Sequence, residues 1–182
     1  MPRPALPLLV LSLWAAPAAA EGDRALSIGL GWATFSVPGE PVNNMAPPTI
    51  TPDVGGAVSV TYEHSISTDF SLRVDGAFGA FYGGGTEKQS KGSYAGLADA
   101  GAVFRFDVLK YVPYLFGGLG AVATTGGPID GGVDFVVAIG GGLDVLLSRS
   151  RSYGFEARLA SFGGDTTVFT LGVRGTCRWG YF

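Results

Sequence analysis

The sequence predicts an all-β protein, and three observations predict it. Eight segments alternate apolar and polar residues with period 2, separated by breaks rich in Gly, Pro, Asn, Asp and Ser. No stretch sustains helical spacing, and the 30 glycines would each cost a helix roughly 1 kcal/mol relative to alanine. Beyond residue 20 the chain holds no uninterrupted apolar run of the roughly 20 residues that a membrane-crossing helix needs.

The N-terminal stretch "MPRPALPLLVLSLWAAPAAA" stands apart from this pattern. Arg3 precedes an apolar run from Ala5 to Ala16 and small residues through Ala20, the layout of a secretory signal peptide cut before Glu21. Residues 1–20 are therefore expected to be removed, leaving one domain over 21–182. The eight predicted strands cover 25–37, 54–64, 69–82, 93–107, 111–124, 133–147, 153–162 and 167–182. In the first, Leu26, Ile28, Leu30 and Trp32 alternate with Ser27, Gly29, Gly31 and Ala33. The second sets Val58, Val60 and Tyr62 against Ser59, Thr61 and Glu63. The third sets Phe70, Leu72, Val74, Phe78, Ala80 and Tyr82 against Ser71, Arg73, Asp75, Ala77 and Gly79, with Phe81 out of phase. The seventh sets Phe155, Ala157 and Leu159 against Gly154, Glu156 and Arg158. The last carries Phe169, Leu171, Val173, Gly175, Cys177, Trp179 and Tyr181 on one face, and Phe182 falls outside that phase.

Composition excludes several classes. Without Arg3, 11 basic residues stand against 15 acidic ones, and no Lys/Arg cluster tracks a phosphate backbone, so nucleic acid is not an expected partner. A single cysteine, Cys177, cannot build a disulfide framework, and its place on the apolar face makes it a small outward residue. The runs "GGGL" and "FGGLG" lack the Lys-Ser/Thr of a phosphate loop and are read as glycines that let strands curve and side chains pack. No His/Cys/Asp/Glu spacing suggests a metal site, and no cofactor is expected.

The connections alternate in character. "HSIST", "DVLK" and "SRSRS" are short and polar, whereas "PGEPVNNMAPPTITPD", "GGGTEKQSKG" and "TTGGPIDGG" are longer or richer in Gly and Pro; the last connection, "GGDT", is short. Short turns at one rim, long loops at the other and an even strand count describe an eight-stranded antiparallel transmembrane up-and-down barrel with both termini in the periplasm. Trp32, Tyr62, Phe70, Tyr82, Tyr94, Tyr111, Tyr153, Trp179 and Tyr181, near segment ends, fit its two aromatic girdles. The competing reading makes them ordinary strand formers of a soluble sandwich.

"YVPYLFGGLGAV" at 111–122, "AIGGGLDVLLS" at 138–148 and the terminus Trp179-Gly180-Tyr181-Phe182 resemble the small eight-stranded outer-membrane barrels of the OmpA/OmpX-like superfamily. The resemblance implies residence in the bacterial outer membrane among lipopolysaccharide and other lipids, and a monomer. It also implies that Trp179, Tyr181 and Phe182 form the signal read by the barrel-assembly machinery.

An eight-stranded barrel is just wide enough inside for side chains to fill. Its polar phase holds Glu63, Arg73, Asp75, Asp99, Arg105, Asp144, Glu156, Arg158 and Arg174, five acids and four bases. Buried charges are very costly unless paired and hydrogen-bonded, so near-balance predicts an internal salt-bridge network that plugs the lumen. The expected function is therefore non-enzymatic: an envelope protein that presents the loops 38–53 and 86–92. The alternatives are a narrow ion channel and a lipid A-modifying enzyme. An enzyme would need a serine, a histidine and an acid at the outer rim, and the single histidine, His64 in "YEHSIS", is expected at the periplasmic turn. Leu72→Arg is expected to cost about 2–4 kcal/mol if Leu72 lies near the bilayer midplane.

Overall fold

The computed structural model describes residues 23–38, 49–84, 92–106, 110–126, 131–162 and 166–180. The expectations for residues 1–20, most of the first loop, residues 86–91, Tyr181 and Phe182 lie outside them.

The described strands are β1 (Arg24–Pro38), β2 (Thr49–Ile50), β3 (Val54–Ser65), β4 (Phe70–Tyr82), β5 (Gly92–Arg105), β6 (Tyr111–Thr125), β7 (Gly132–Ser148), β8 (Arg151–Phe162) and β9 (Thr166–Trp179). Each long strand pairs antiparallel with its sequence neighbour, and β1 also pairs with β9, so the sheet closes into an eight-stranded barrel. The two-residue β2 adds a small flap to β1, with Val37 opposite Ile50. No predicted strand end is off by more than two residues except the last, where pairing with β1 stops at Trp179 opposite Arg24. Gly180, just past that pairing, sits at φ +100°, a conformation that costs glycine little.

Alternation divides the wall into two faces. Leu26, Ile28, Leu30 and Trp32 of β1, Val58, Val60 and Tyr62 of β3, and Leu72, Val74 and Phe78 of β4 all point outward and are exposed. The outward phase continues through Leu115, Leu119, Ile139, Phe155, Leu171 and Val173. All described members of the predicted aromatic set, from Trp32 to Trp179, are exposed on this surface. An apolar band that encircles a closed barrel far exceeds the few hundred Å² of contiguous apolar patch that water-soluble monomers expose. Strands of 12 to 17 residues are also longer than the roughly 9–11 that a tilted strand needs to cross a hydrocarbon core.

Two ends are distinguishable. The short connections between β3 and β4, β5 and β6, and β7 and β8, together with the ends of β1 and β9 at Arg24 and Trp179, define a turn end; the opposite rim is the loop end. Leu72 is the third residue of β4, beside the first turn, so it sits near the edge of the apolar band rather than at its middle.

Candidate functional site

Among the described residues, charged side chains gather most densely in the lumen. At its turn half the inward phase of β3, β4, β5, β7, β8 and β9 projects charged side chains, because Asp, Glu, Arg, Ser and Thr recur there at every second position, interrupted by glycines and by Val103. Arg73 is 2% exposed, and Glu63, Asp75, Asp99, Asp144, Arg158 and Arg174 are also buried; Arg105 and Glu156 are partly so.

Glu156 on β8 is the hub. It accepts hydrogen bonds from Arg73 at 2.9 and 3.0 Å, from the Tyr114 hydroxyl at 3.0 Å, from Arg174 at 3.2 Å and from Arg158 at 3.4 Å. Arg73 lies on β4, four strands away around the ring, so this contact ties opposite walls. Arg73 also binds Asp75 through Nε at 2.5 Å and Nη2 at 2.9 Å, and Asp75 accepts from Thr61 at 2.5 Å and pairs with Arg158 at 2.9 Å. Arg174 grips Asp144 with two hydrogen bonds at 3.0 and 2.8 Å, and reaches Glu63 at 3.4 Å. Glu63 in turn pairs closely with Arg105, which also donates to Ser71 at 2.5 Å.

All nine residues singled out from the sequence thus meet in one cluster. Asp99 is its loosest member: its pair with Arg158 spans 3.6 Å, and the two facing atoms, Asp99 Oδ2 and Arg158 Nη1, make no hydrogen bond.

Sequence reasoning missed three members. Arg178 donates to Asp144 at 2.9 Å and to Ser152 at 2.8 Å, which brings the cluster to five carboxylates and five guanidiniums. Its inward phase was visible, but its place near the strand end hid its partner on β7. Tyr114 and Phe116 also point inward, with Arg73 stacked 3.8 Å over the Phe116 ring and Arg174 4.2 Å over Tyr114. The aromatic rings fit because β7 is glycine where they lie. A Cβ at Gly140 would come within 2.4 Å of the Phe116 ring, and one at Gly142 within 2.4 Å of the Tyr114 hydroxyl. The two quoted motifs, "YVPYLF" and "AIGGGLD", are the two sides of that fit.

The expectation that charges fill the lumen is corrected at the loop half, which is apolar. Ala33, Phe35, Phe81, Ala95, Val122, Val136, Ala160 and Phe162 form a buried cluster there, and Phe35 meets Phe81 edge-on with centroids 5.2 Å apart. Phe81, out of phase in the sequence, is therefore a plug residue. Between the halves lies a cavity of about 80 Å³, with Ser27, Ser59, Thr61 and Arg158 on its charged side and Leu97, Val122, Phe162 and Val168 on its apolar side. His64 lies near the turn end, opposite Arg24 on β1 and Leu72 on β4. Among the described residues no group of three His, Cys, Asp or Glu side chains is arranged to hold a metal ion.

This fold is that of the small closed eight-stranded barrels of bacterial outer membranes. No family model and no curated protein matches the chain. Among solved structures, the neisserial surface protein NspA superposes with a TM-score of 0.61 at 11% identity, covering 86% of this chain and 97% of that one. Ail, the attachment invasion locus protein of Yersinia pestis, gives 0.57 at 17% identity, covering 88% and 100%. The outer membrane enzyme PagL gives 0.50 at 13% identity, covering 84% and 98%. At such identities the likeness is one of fold, and it spans surface proteins and an enzyme alike.

Proposed function

We propose that the protein is a non-enzymatic integral protein of the bacterial outer membrane, exported on residues 1–20. In this reading it is a sealed scaffold that contributes to envelope structure and carries its loops, 38–53 and 86–92 foremost, toward the outside. One observation carries the reading: the lumen is stoppered twice inside an apolar outer band, by paired charges at the turn half and by phenylalanines at the loop half. A path for ions would have to break both. With the turn end taken as periplasmic, His64 would lie on the far side from the outer leaflet, which favours this reading over lipid A chemistry. Lipopolysaccharide around the wall, recognition of Trp179, Tyr181 and Phe182 by the assembly machinery, and a monomeric state belong to the same reading.

The test is to fractionate envelopes of a Gram-negative host and run the outer-membrane fraction on gels with and without boiling. A heat-dependent mobility shift there, and no single-channel current from purified protein in planar bilayers, is the expected result. A soluble periplasmic protein overturns the membrane reading, and steady conductance overturns the sealed one.

A further inference from the structure

The guanidiniums inside the barrel are all engaged, and two outside it are not. Arg24 of β1 and Arg151 of β8 point outward at the turn end, are exposed, and have no ion-pair or hydrogen-bond partner among the described residues. The register places them around β9. Arg24 pairs with Trp179, and Arg151 pairs with Cys177, two residues nearer the barrel's middle. With about 4.8 Å between strands and about 3.4 Å rise per residue, their Cα atoms lie about 12 Å apart. That is close enough for two long side chains to converge on one group above β9.

The surface between them is shaped for a chain as well as a charge. Running from the two arginines toward the middle of the band, the outward residues of β9 are Cys177 and then Gly175, and a side chain at Gly175 would meet nothing within 4 Å. Leu26 and Ile28 of β1 line one side of this track and Tyr153 of β8 the other, all exposed. Trp179 stands at its mouth, its ring 6.5 Å from that of Tyr62. Basic residues at the border of an apolar band attract anionic headgroups, and tryptophan and tyrosine favour that same depth.

We propose that the β1–β9–β8 seam binds an anionic phospholipid of the turn-side leaflet. Its phosphate would lie between Arg24 and Arg151 and one acyl chain over Cys177 and Gly175. This rests on the membrane reading above and adds a specific ligand class to it.

The experiment uses the full mature chain, purified in detergent and checked for the heat-dependent mobility shift. Retention of added phosphatidylglycerol and phosphatidylcholine is then compared by native mass spectrometry. Wild type is expected to retain phosphatidylglycerol in preference, and each of Arg24→Gln and Arg151→Gln to reduce that preference about fivefold. Cys177→Leu, which fills the track without changing charge, should weaken retention too. Lys110→Gln, a charge removed outside the seam, should leave it unchanged. Equal retention of both lipids by a heat-shifting wild type overturns this inference and leaves the membrane reading standing. A preference that survives the double variant, or falls equally with Lys110→Gln, overturns it as well. A chain that shows no shift and stays soluble without detergent overturns both.

Discussion

The two halves of the lumen solve one problem in opposite ways. Each must fill a narrow cylinder walled by the same eight strands, and the turn half does so with Arg–carboxylate pairs while the loop half uses Ala, Val and Phe. The ionic half is bound by geometry, since each buried charge must meet a partner at hydrogen-bonding distance. The apolar half is bound mainly by volume. The difference teaches that barrel closure dictates only the alternation of inward and outward residues, and leaves the chemistry of the filling to the residues in phase.

The largest effects should come from cutting the ionic half at its most connected guanidinium. Arg73→Ala removes the forked partner of Asp75, two of the five hydrogen bonds to Glu156 and the cation over Phe116, and it is expected to cost about 3–5 kcal/mol. Urea unfolding of the refolded barrel in lipid vesicles measures it. A loss below about 1 kcal/mol would mean that water screens the network. The comparison sharpens with conservative changes. Arg73→Lys cannot keep the forked contacts and should still cost about 1–3 kcal/mol. Phe81→Leu, which keeps most of the volume of a plug residue, should cost under about 1.5 kcal/mol. Reversal of that order would show that volume, not pairing, governs the charged half.

Next in size are charges placed on the outer face, which locate both halves relative to the bilayer. Val60 lies near the middle of β3, and Val60→Arg is expected to cost about 2–4 kcal/mol. Leu72 lies beside a turn, so Leu72→Arg should cost only about 0–1 kcal/mol. Equal costs in the same unfolding assay would misplace the bilayer or the strand tilt.

These positions also show what the sequence made legible. Period-2 alternation alone places Val60 outside and Glu63 inside, so the strands and nine of the ten network charges follow from local pattern, while closure is read from the connections and the even strand count. Partners do not follow, because register and opposition across the lumen are long-range. Arg73 sits 83 residues from Glu156, and nothing local to either marks the meeting. Inward aromatics were hidden for the same reason: the room for Tyr114 and Phe116 is made by Gly142 and Gly140 on the adjoining strand. The apolar loop half was masked by composition, since Ala33, Ala95 and Ala160 read equally well as either face of a strand until Phe35, Phe81 and Phe162 are seen to gather against them.

Asp99 marks the boundary between the two fillings, and it supplies the smallest predicted effect. It is buried, yet its carboxylate stands 3.6 Å from Arg158 with Oδ2 unbonded. Arg158 meanwhile holds Asp75 at 2.9 Å. A carboxylate buried with so loose a partner recovers little of its desolvation penalty. Making it neutral at constant shape therefore removes a cost nearly as large as the attraction it forfeits. Asp99→Asn is expected to change stability by under about 1 kcal/mol, while Asp75→Asn, which breaks a forked pair, should cost about 3–5 kcal/mol. Measured side by side, the two variants give the contrast directly. A large loss at Asp99 would place it inside the ionic half as a full member, and the boundary between the halves would then lie nearer the loop end.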